Sequence, residues 1–141
     1  MVEPYLFFDG RCEEALNFYR AALGAEIEHM MRFSESPEPQ PPGMVPPGAE
    51  NKIMHASFKV GGSRIMASDG RCMGKPKFEG SALALSLKTD AEVERAFLAL
   101  AQSGEVQMPL NKTFFTSRFG MVADRFGVSW MVLTETPPPQ R

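Results

Sequence analysis

The chain is poor in the residues that carry most metal and redox chemistry. Its 141 residues hold two cysteines, Cys12 and Cys72, and two histidines, His29 and His55. Two cysteines make no disulfide framework and suit a reducing compartment, so a cytoplasmic protein is expected. A catalytic zinc site takes about three protein ligands, typically His with a carboxylate, and two histidines supply that only with help. Charge of one sign is lacking as well. The balance of 15 basic against 17 acidic residues leaves a formal charge of −2 with no run of like charge, which argues against a nucleic-acid partner. No apolar run approaches the roughly 20 residues needed to span a bilayer, and Met1-Val2-Glu3-Pro4 lacks the basic and apolar regions of a signal peptide. No membrane association is expected.

What the chain does contain is a repeat. An acid-opened amphipathic segment ends in Leu23-Gly24-Ala25-Glu26-Ile27, and another ends in Gln102-Ser103-Gly104-Glu105-Val106. Asp9 and Asp90 precede the two segments, Gly24 and Gly104 follow them, and Gly62-Ser63-Arg64-Ile65-Met66 matches Gly127-Val128-Ser129-Trp130-Met131 at a shorter spacing. The first copy therefore carries extra residues. They fall in the stretch 34–51, which includes Pro37, Pro39, Pro41, Pro42, Pro46 and Pro47 and has no later counterpart. Two copies of one unit predict a shared cleft.

Each copy reads as β-α-β-β-β. Tyr5-Leu6-Phe7-Phe8 is a short strand stopped by Asp9-Gly10, and Glu13 and Glu14 suit the positive end of the helix that follows. Leu16, Tyr19 and Leu23 share one helical face with Ala15, Phe18 and Ala22, and Gly24 ends it. Ala25 to Phe33 is a second strand; Ile53–Val60 and Ser63–Ser68 make a hairpin around Gly61-Gly62. In the second copy Leu83, Leu85 and Leu87 alternate with polar or small residues. Thr89 and Glu92 have capping-box spacing before a helix carrying Val93, Ala96, Phe97, Leu100 and Ala101, expected to end near Gly104. Strands follow at Glu105 to Met108, Phe119 to Asp124 and Ser129 to Thr134, and Pro137, Pro138 and Pro139 form a frayed tail.

The order of Pro4-Tyr5-Leu6-Phe7-Phe8-Asp9-Gly10, Phe18-Tyr19, Ala21-Ala22-Leu23-Gly24-Ala25-Glu26, Met54-His55-Ala56, Ile65-Met66-Ala67-Ser68-Asp69 and Asp124-Arg125-Phe126-Gly127-Val128-Ser129-Trp130-Met131 resembles the vicinal oxygen chelate superfamily. That superfamily includes glyoxalase I, extradiol dioxygenases and bleomycin-resistance proteins, and the likeness is to its PhnB-like branch. The resemblance implies an α+β fold in one glyoxalase-like domain over 1–141. Two β-α-β-β-β modules, about 1–70 and 80–135, would form curved mixed sheets around a cavity. It also implies a homodimer, and often a divalent metal held by His or Gln on each module's first strand and Glu on its last. Those positions fall at about Pro4, Ala84, Met66 and Met131, where pyrrolidine, methyl and thioether groups offer no donor a hard divalent ion would accept. No metal quartet and no cofactor are expected, while a divalent metal on other ligands stays open.

Two functions of different classes follow, and whether the protein is an enzyme is left undecided. One is a small-molecule-binding protein, as bleomycin-resistance relatives are. The other is a lyase, isomerase or dioxygenase-like enzyme on a small oxygenated substrate, with His55 as general base oriented by Asp69 across the hairpin. The same two residues can instead satisfy a sheet edge and cap a turn. Phe114, Phe115, Phe119 and Trp130 are candidates to line an apolar ligand pocket, and Arg118, with Lys112 and Arg125 nearby, to hold an anion; core and solvated face are the alternatives. His29 reads as a surface strand residue. Cys12, near a helix start, reads as buried or as a thiolate favoured by the helix dipole. Methyl transfer, a label carried by relatives in this branch, finds no glycine-rich turn at Asp9-Gly10-Arg11 or Lys88-Thr89-Asp90 to hold a nucleotide cofactor. The stretch 34–51 is expected to reach over the cavity or to a dimer partner, or else to be a solvent loop.

Overall fold

The computed structural model describes residues 1–38, 45, 47–70 and 77–135. They form two compact units, Met1–Pro76 and Lys77–Arg141. In the first, β1 (Tyr5–Phe7), α1 (Cys12–Leu23), β2 (Glu26–Arg32), β3 (Ile53–Val60) and β4 (Ser63–Ser68) give a four-stranded sheet of order β1-β4-β3-β2. In the second, β5 (Leu83–Leu87), α2 (Asp90–Ala101), β6 (Glu105–Asn111), β7 (Phe119–Ala123) and β8 (Ser129–Thr134) give the matching order β5-β8-β7-β6. The first strand of each unit pairs parallel with the last, and the other pairs are antiparallel. The α+β class and both β-α-β-β-β modules are therefore present, and neither sheet closes on itself.

Periodicity explains which faces are covered. On α1 the buried residues Cys12, Ala15, Leu16 and Tyr19 follow helical spacing, and they lie over the alternate residues Ala56, Phe58 and Val60 of β3 with Ile65 and Ala67 of β4. Tyr19 stacks on Phe58 with ring centres 5.6 Å apart. Each such ring contributes about 1.5–3 kcal/mol by leaving water. In the second unit Val93, Ala96, Phe97 and Leu100 of α2 cover Val122, Trp130 and Val132. Gly120 of β7 lies under this helix, where an added Cβ would come 2.6 Å from the Phe97 ring and 2.9 Å from Leu110.

Several boundaries differ from the sequence reading, each for a physical reason. Strand β6 runs through Pro109 to Asn111 instead of stopping at Met108; it is a sheet edge, where a missing N–H is tolerated. Helix α2 ends at Ala101, and the left-handed residue behind it is Ser103 (φ 59), the counterpart of Gly24 (φ 67) behind α1. Gly104 answers a different need: a Cβ there would run into the Ala123 carbonyl oxygen and the Leu100 carbonyl. Asp9 stands outside α1, whose N-cap is Arg11 with no side-chain cap, whereas Asp90 is already inside α2 behind the cap Thr89. The Gly61-Gly62 hairpin is as expected, with φ of 55 and 91.

The ends of the proline-rich stretch are pinned. Phe33 and Ser34 donate to the carbonyls of Lys52 (3.1 Å) and Glu50 (2.9 Å), so the β2–β3 hairpin closes the loop at its base. Pro39, Pro41, Pro42 and Pro46, with Cys72 and the tail prolines, lie outside the described residues.

Candidate functional site

Strand alternation sends His55, Ser57 and Lys59 to the face of the first sheet away from α1. Pairing extends the rows: Tyr5 lies beside Met66, Met66 beside Ser57, and Ser57 beside His29, while Met31 lies beside His55. This face carries a strip of rings. Phe7 stacks on Tyr5 at 4.9 Å, Tyr5 meets His55 at 5.8 Å, and His55 meets His29 at 5.9 Å. The Tyr5 hydroxyl lies 3.1 Å from Nδ1 of His55. Phe7 is 51% and Tyr5 39% exposed, so the strip presents ring surface to solvent.

Lys59 and Arg64 leave the sheet on the same side and bind Glu28, at 3.5 and 2.9 Å. Arg64, hydrogen-bonded to Glu28, holds that carboxyl below its usual range. Arg64 also lies 3.9 Å from Glu3, so the two cations at this edge face two carboxylates.

Asp69 does something else. Its carboxylate accepts from the backbone amides of Gly10 (2.7 Å), Cys12 (2.8 Å) and Ile53 (2.8 Å), and the side chain is 2% exposed. It therefore supplies, from the end of β4, the cap that Arg11 does not give α1, and negative charge there suits the helix dipole. The His55–Asp69 pair read from the hairpin is not assembled by these contacts: the histidine is held by Tyr5 and the carboxylate by three amides. Cys12, wholly buried beneath that cap, has its thiol pKa pushed up by burial first and then by the charges of Asp69 and Glu13, the reverse of an activated thiolate.

In the second unit the aromatic candidates separate. Trp130 is 2% exposed on the α2 side, its indole N–H donating to Asp124 at 2.9 Å, so its ring belongs to the core and not to a pocket wall. Phe119 is nearly buried and meets Phe115 edge-on at 5.4 Å, and Phe115 meets Phe114 at 5.1 Å. Phe114 is fully exposed and Phe115 is 43% exposed. Arg118 is engaged with Glu94 of α2 at 3.3 Å. The sheet face away from α2 carries the row Ala84, Met131, Met121 and Met108.

Register also corrects the first-strand position. Ala84 pairs with Met131 as expected, but the residue beside Met66 is Tyr5, not Pro4. The four superfamily ligand positions thus hold a phenol, a methyl group and two thioethers, a set that does not fit a hard divalent ion. Among the described residues no group of three or more His, Cys, Asp or Glu is placed to hold a metal. Tyr5 and His29 are the residues here that sequence does not mark as a site: the β2–β3 register, with its bulges, is what puts both histidines on one face.

This architecture is a glyoxalase-like fold. A solved glyoxylase/bleomycin resistance protein/dioxygenase domain from Frankia sp. EAN1pec shares the fold at 13% identity, with a TM-score of 0.65 over 95% of each chain. A family model described as 3-demethylubiquinone-9 3-methyltransferase matches residues 1–133. The chain belongs to that family, which also takes in a PhnB protein, and it has the glyoxalase-like fold. It is 43% identical to the solved protein PA1353 from Pseudomonas aeruginosa, covering 97% of this chain and 98% of that one with a TM-score of 0.83. It is 31% identical to a PhnB protein from Bacillus cereus, covering 95% and 98% with a TM-score of 0.79. Protein YjdN of Escherichia coli (strain K12) is 38% identical over 138 residues, 93% of this chain and 92% of that protein. No helix among the described residues is long and apolar enough to cross a membrane.

Proposed function

We propose that the protein binds a small molecule on the open face of its first sheet. The observation that carries this reading is the exposed strip Phe7, Tyr5, His55 and His29. Rings at this spacing offer flat apolar surface, and the phenol and imidazoles add donors and acceptors that fix orientation. Charged groups beside it are already paired, so a neutral or singly charged oxygenated molecule suits it better than a polyanion. The resistance protein in the name of the Frankia relative points the same way by analogy of fold alone.

An enzymatic reading keeps one support. A histidine whose Nδ1 is held by a tyrosine hydroxyl has a fixed ring and a second nitrogen free to take or give a proton. That version uses Tyr5, not Asp69, as the orienting group. Methyl transfer is not part of the proposal, since Asp69 occupies the start of α1 and Thr89 caps α2, and neither junction is a glycine-rich cofactor turn.

Titration with catechol and with bleomycin, followed by the aromatic and histidine NMR signals, tests the proposal. Saturable shifts of Tyr5 and His55 with either compound, lost in Tyr5→Ala and with the compound recovered unchanged, support binding. A product formed in a His55-dependent way supports the enzyme, and no saturable shift with either compound refutes both for these ligand classes.

A further inference from the structure

We infer that His29 and His55 form a two-imidazole site for a borderline divalent transition metal, copper(II) above all, on the open face of the first sheet. These are the chain's two histidines, and they come from different strands. His29 lies opposite Ser57 and His55 opposite Met31, so the pair is a cross-strand diagonal, the longer separation that rings can still bridge. A ring bound through one nitrogen holds its centre roughly 3 Å from the ion, so two rings sharing it have centres up to about 6 Å apart. The observed 5.9 Å lies within that reach, with rings inclined by 44°.

The surroundings complete the argument. Metal-bound imidazoles commonly engage an oxygen through the nitrogen that does not touch the ion, and the Tyr5 hydroxyl 3.1 Å from Nδ1 is such a partner for His55. Nε2 is then the metal-facing atom. His29 is exposed and His55 half-buried, which leaves an open approach and little desolvation to offset. The equivalents in the second unit, read from its pairing, are Met108 and Phe119 beside Ala84 and Met131, so one site per chain is expected. Imidazole suits copper, nickel and zinc, and affinity rises to copper along the divalent series. Two protein ligands leave the remaining positions to water or to two oxygens of a small molecule. The site needs none of the superfamily's ligand positions, and it stands whether or not an organic molecule binds.

The full chain, stripped with chelator and dialysed, is titrated with copper(II) chloride and read by electron paramagnetic resonance and calorimetry. The expected result is one equivalent per chain with hyperfine structure from two nitrogens. His29→Gln and His55→Gln each lower affinity tenfold or more and leave at most one of these nitrogens. Tyr5→Phe keeps both nitrogens and weakens binding about tenfold. The double variant His29→Gln/His55→Gln supplies the background from the N-terminal amine, and circular dichroism checks its fold. Protection of both histidines of the unmodified chain from diethyl pyrocarbonate by one equivalent of copper gives a readout that needs no variant. Equal stoichiometry and spectrum in the double variant, or no protection, overturns the site.

Discussion

Asp69→Ala should unfold the first unit far more readily than its place at the end of a strand suggests. The carboxylate accepts three backbone N–H groups at 2.7–2.8 Å, and two of these belong to Cys12 and Ile53, which are 0% and 1% exposed. Removing the acceptor leaves those two amides buried without a partner, at about 1–3 kcal/mol each, while Gly10 can turn to water. Loss of negative charge at the start of α1 adds about 0.3–1 kcal/mol. The total is roughly 2–7 kcal/mol, a large part of the stability of an ordinary domain. Asp69→Asn keeps one accepting oxygen and should fall between, at about 1–3 kcal/mol.

Urea unfolding followed by far-UV circular dichroism measures both, and a double-mutant cycle with His55→Ala separates scaffold from chemistry. If Asp69 serves the backbone, the effects of Asp69→Asn and His55→Ala add to within about 0.5 kcal/mol. A loss below about 1 kcal/mol for Asp69→Ala refutes the capping argument. Coupling well above 1 kcal/mol in the cycle restores a working His55–Asp69 pair.

Three further outcomes follow from the same geometry. Cys12, buried with its thiol pKa raised, should resist iodoacetamide in the folded chain even at pH 9 and react on unfolding, as read by peptide mapping; native labelling at that peptide refutes the burial. Gly120→Ala places a methyl against the Phe97 ring and Leu110 and should cost about 1–3 kcal/mol in urea unfolding, relieved in part by the second change Phe97→Leu; a neutral Gly120→Ala contradicts the packing. The Arg32 hydrogen bond holds the Glu13 carboxyl below its ordinary 4.5, so its contribution is present above that value and lost as pH falls through the lower folded value. Both partners are a third to a half exposed, so Glu13→Gln should cost less than about 1 kcal/mol at pH 7, and the cost should shrink as acid protonates Glu13 below 4.5; a cost that does not change with pH down to acid unfolding refutes the ion pair as its source.

Much of the fold was legible because it rests on period. Ile53–Val60, Ser63–Ser68 and Ser129–Thr134 were bounded to the residue, since alternation and a Gly-Gly turn leave little choice. The match of Gly24 with Gly104 misled, because glycine answers two needs: Gly24 supplies a left-handed backbone, whereas Gly104 makes room for a carbonyl, and Ser103 takes the left-handed place. The surroundings of the candidate site residues are less legible. Asp69 and His55 are close along a hairpin, but sequence does not show that three amides compete for the carboxylate. Tyr5 was passed over because the first-strand position was counted from the helix, and a one-residue slip along a strand exchanges its two faces. Trp130 follows the same rule: its alternation with Met131 put one of the two under α2, and the larger ring took the core.

The two units solve one structural problem with opposite chemistry, and this bears on where function can lie. In each, the residue three places after the closing-strand methionine is tied to the start of the strand beside it: the Asp69 amide donates to the Ile53 carbonyl at 2.9 Å and the Thr134 amide to the Arg118 carbonyl at 3.1 Å. The same residue also reaches the helix. In the first unit the acid is on the strand, and the amide of Cys12 donates to Asp69; in the second the acid is on the helix, and the Thr134 hydroxyl donates to Asp90 at 2.7 Å. The hydroxyls of Ser117 and Thr134 keep the Asp90 carboxyl below its usual range. The link recurs in both modules with donor and acceptor exchanged, which gives Asp69 a structural role of its own. The open faces differ instead: rings, a phenol and two imidazoles on one, a row of methionines on the other. Thioethers give an adaptable apolar surface, whereas the imidazoles give directed donors and acceptors, the difference on which the proposed binding at the first sheet rests.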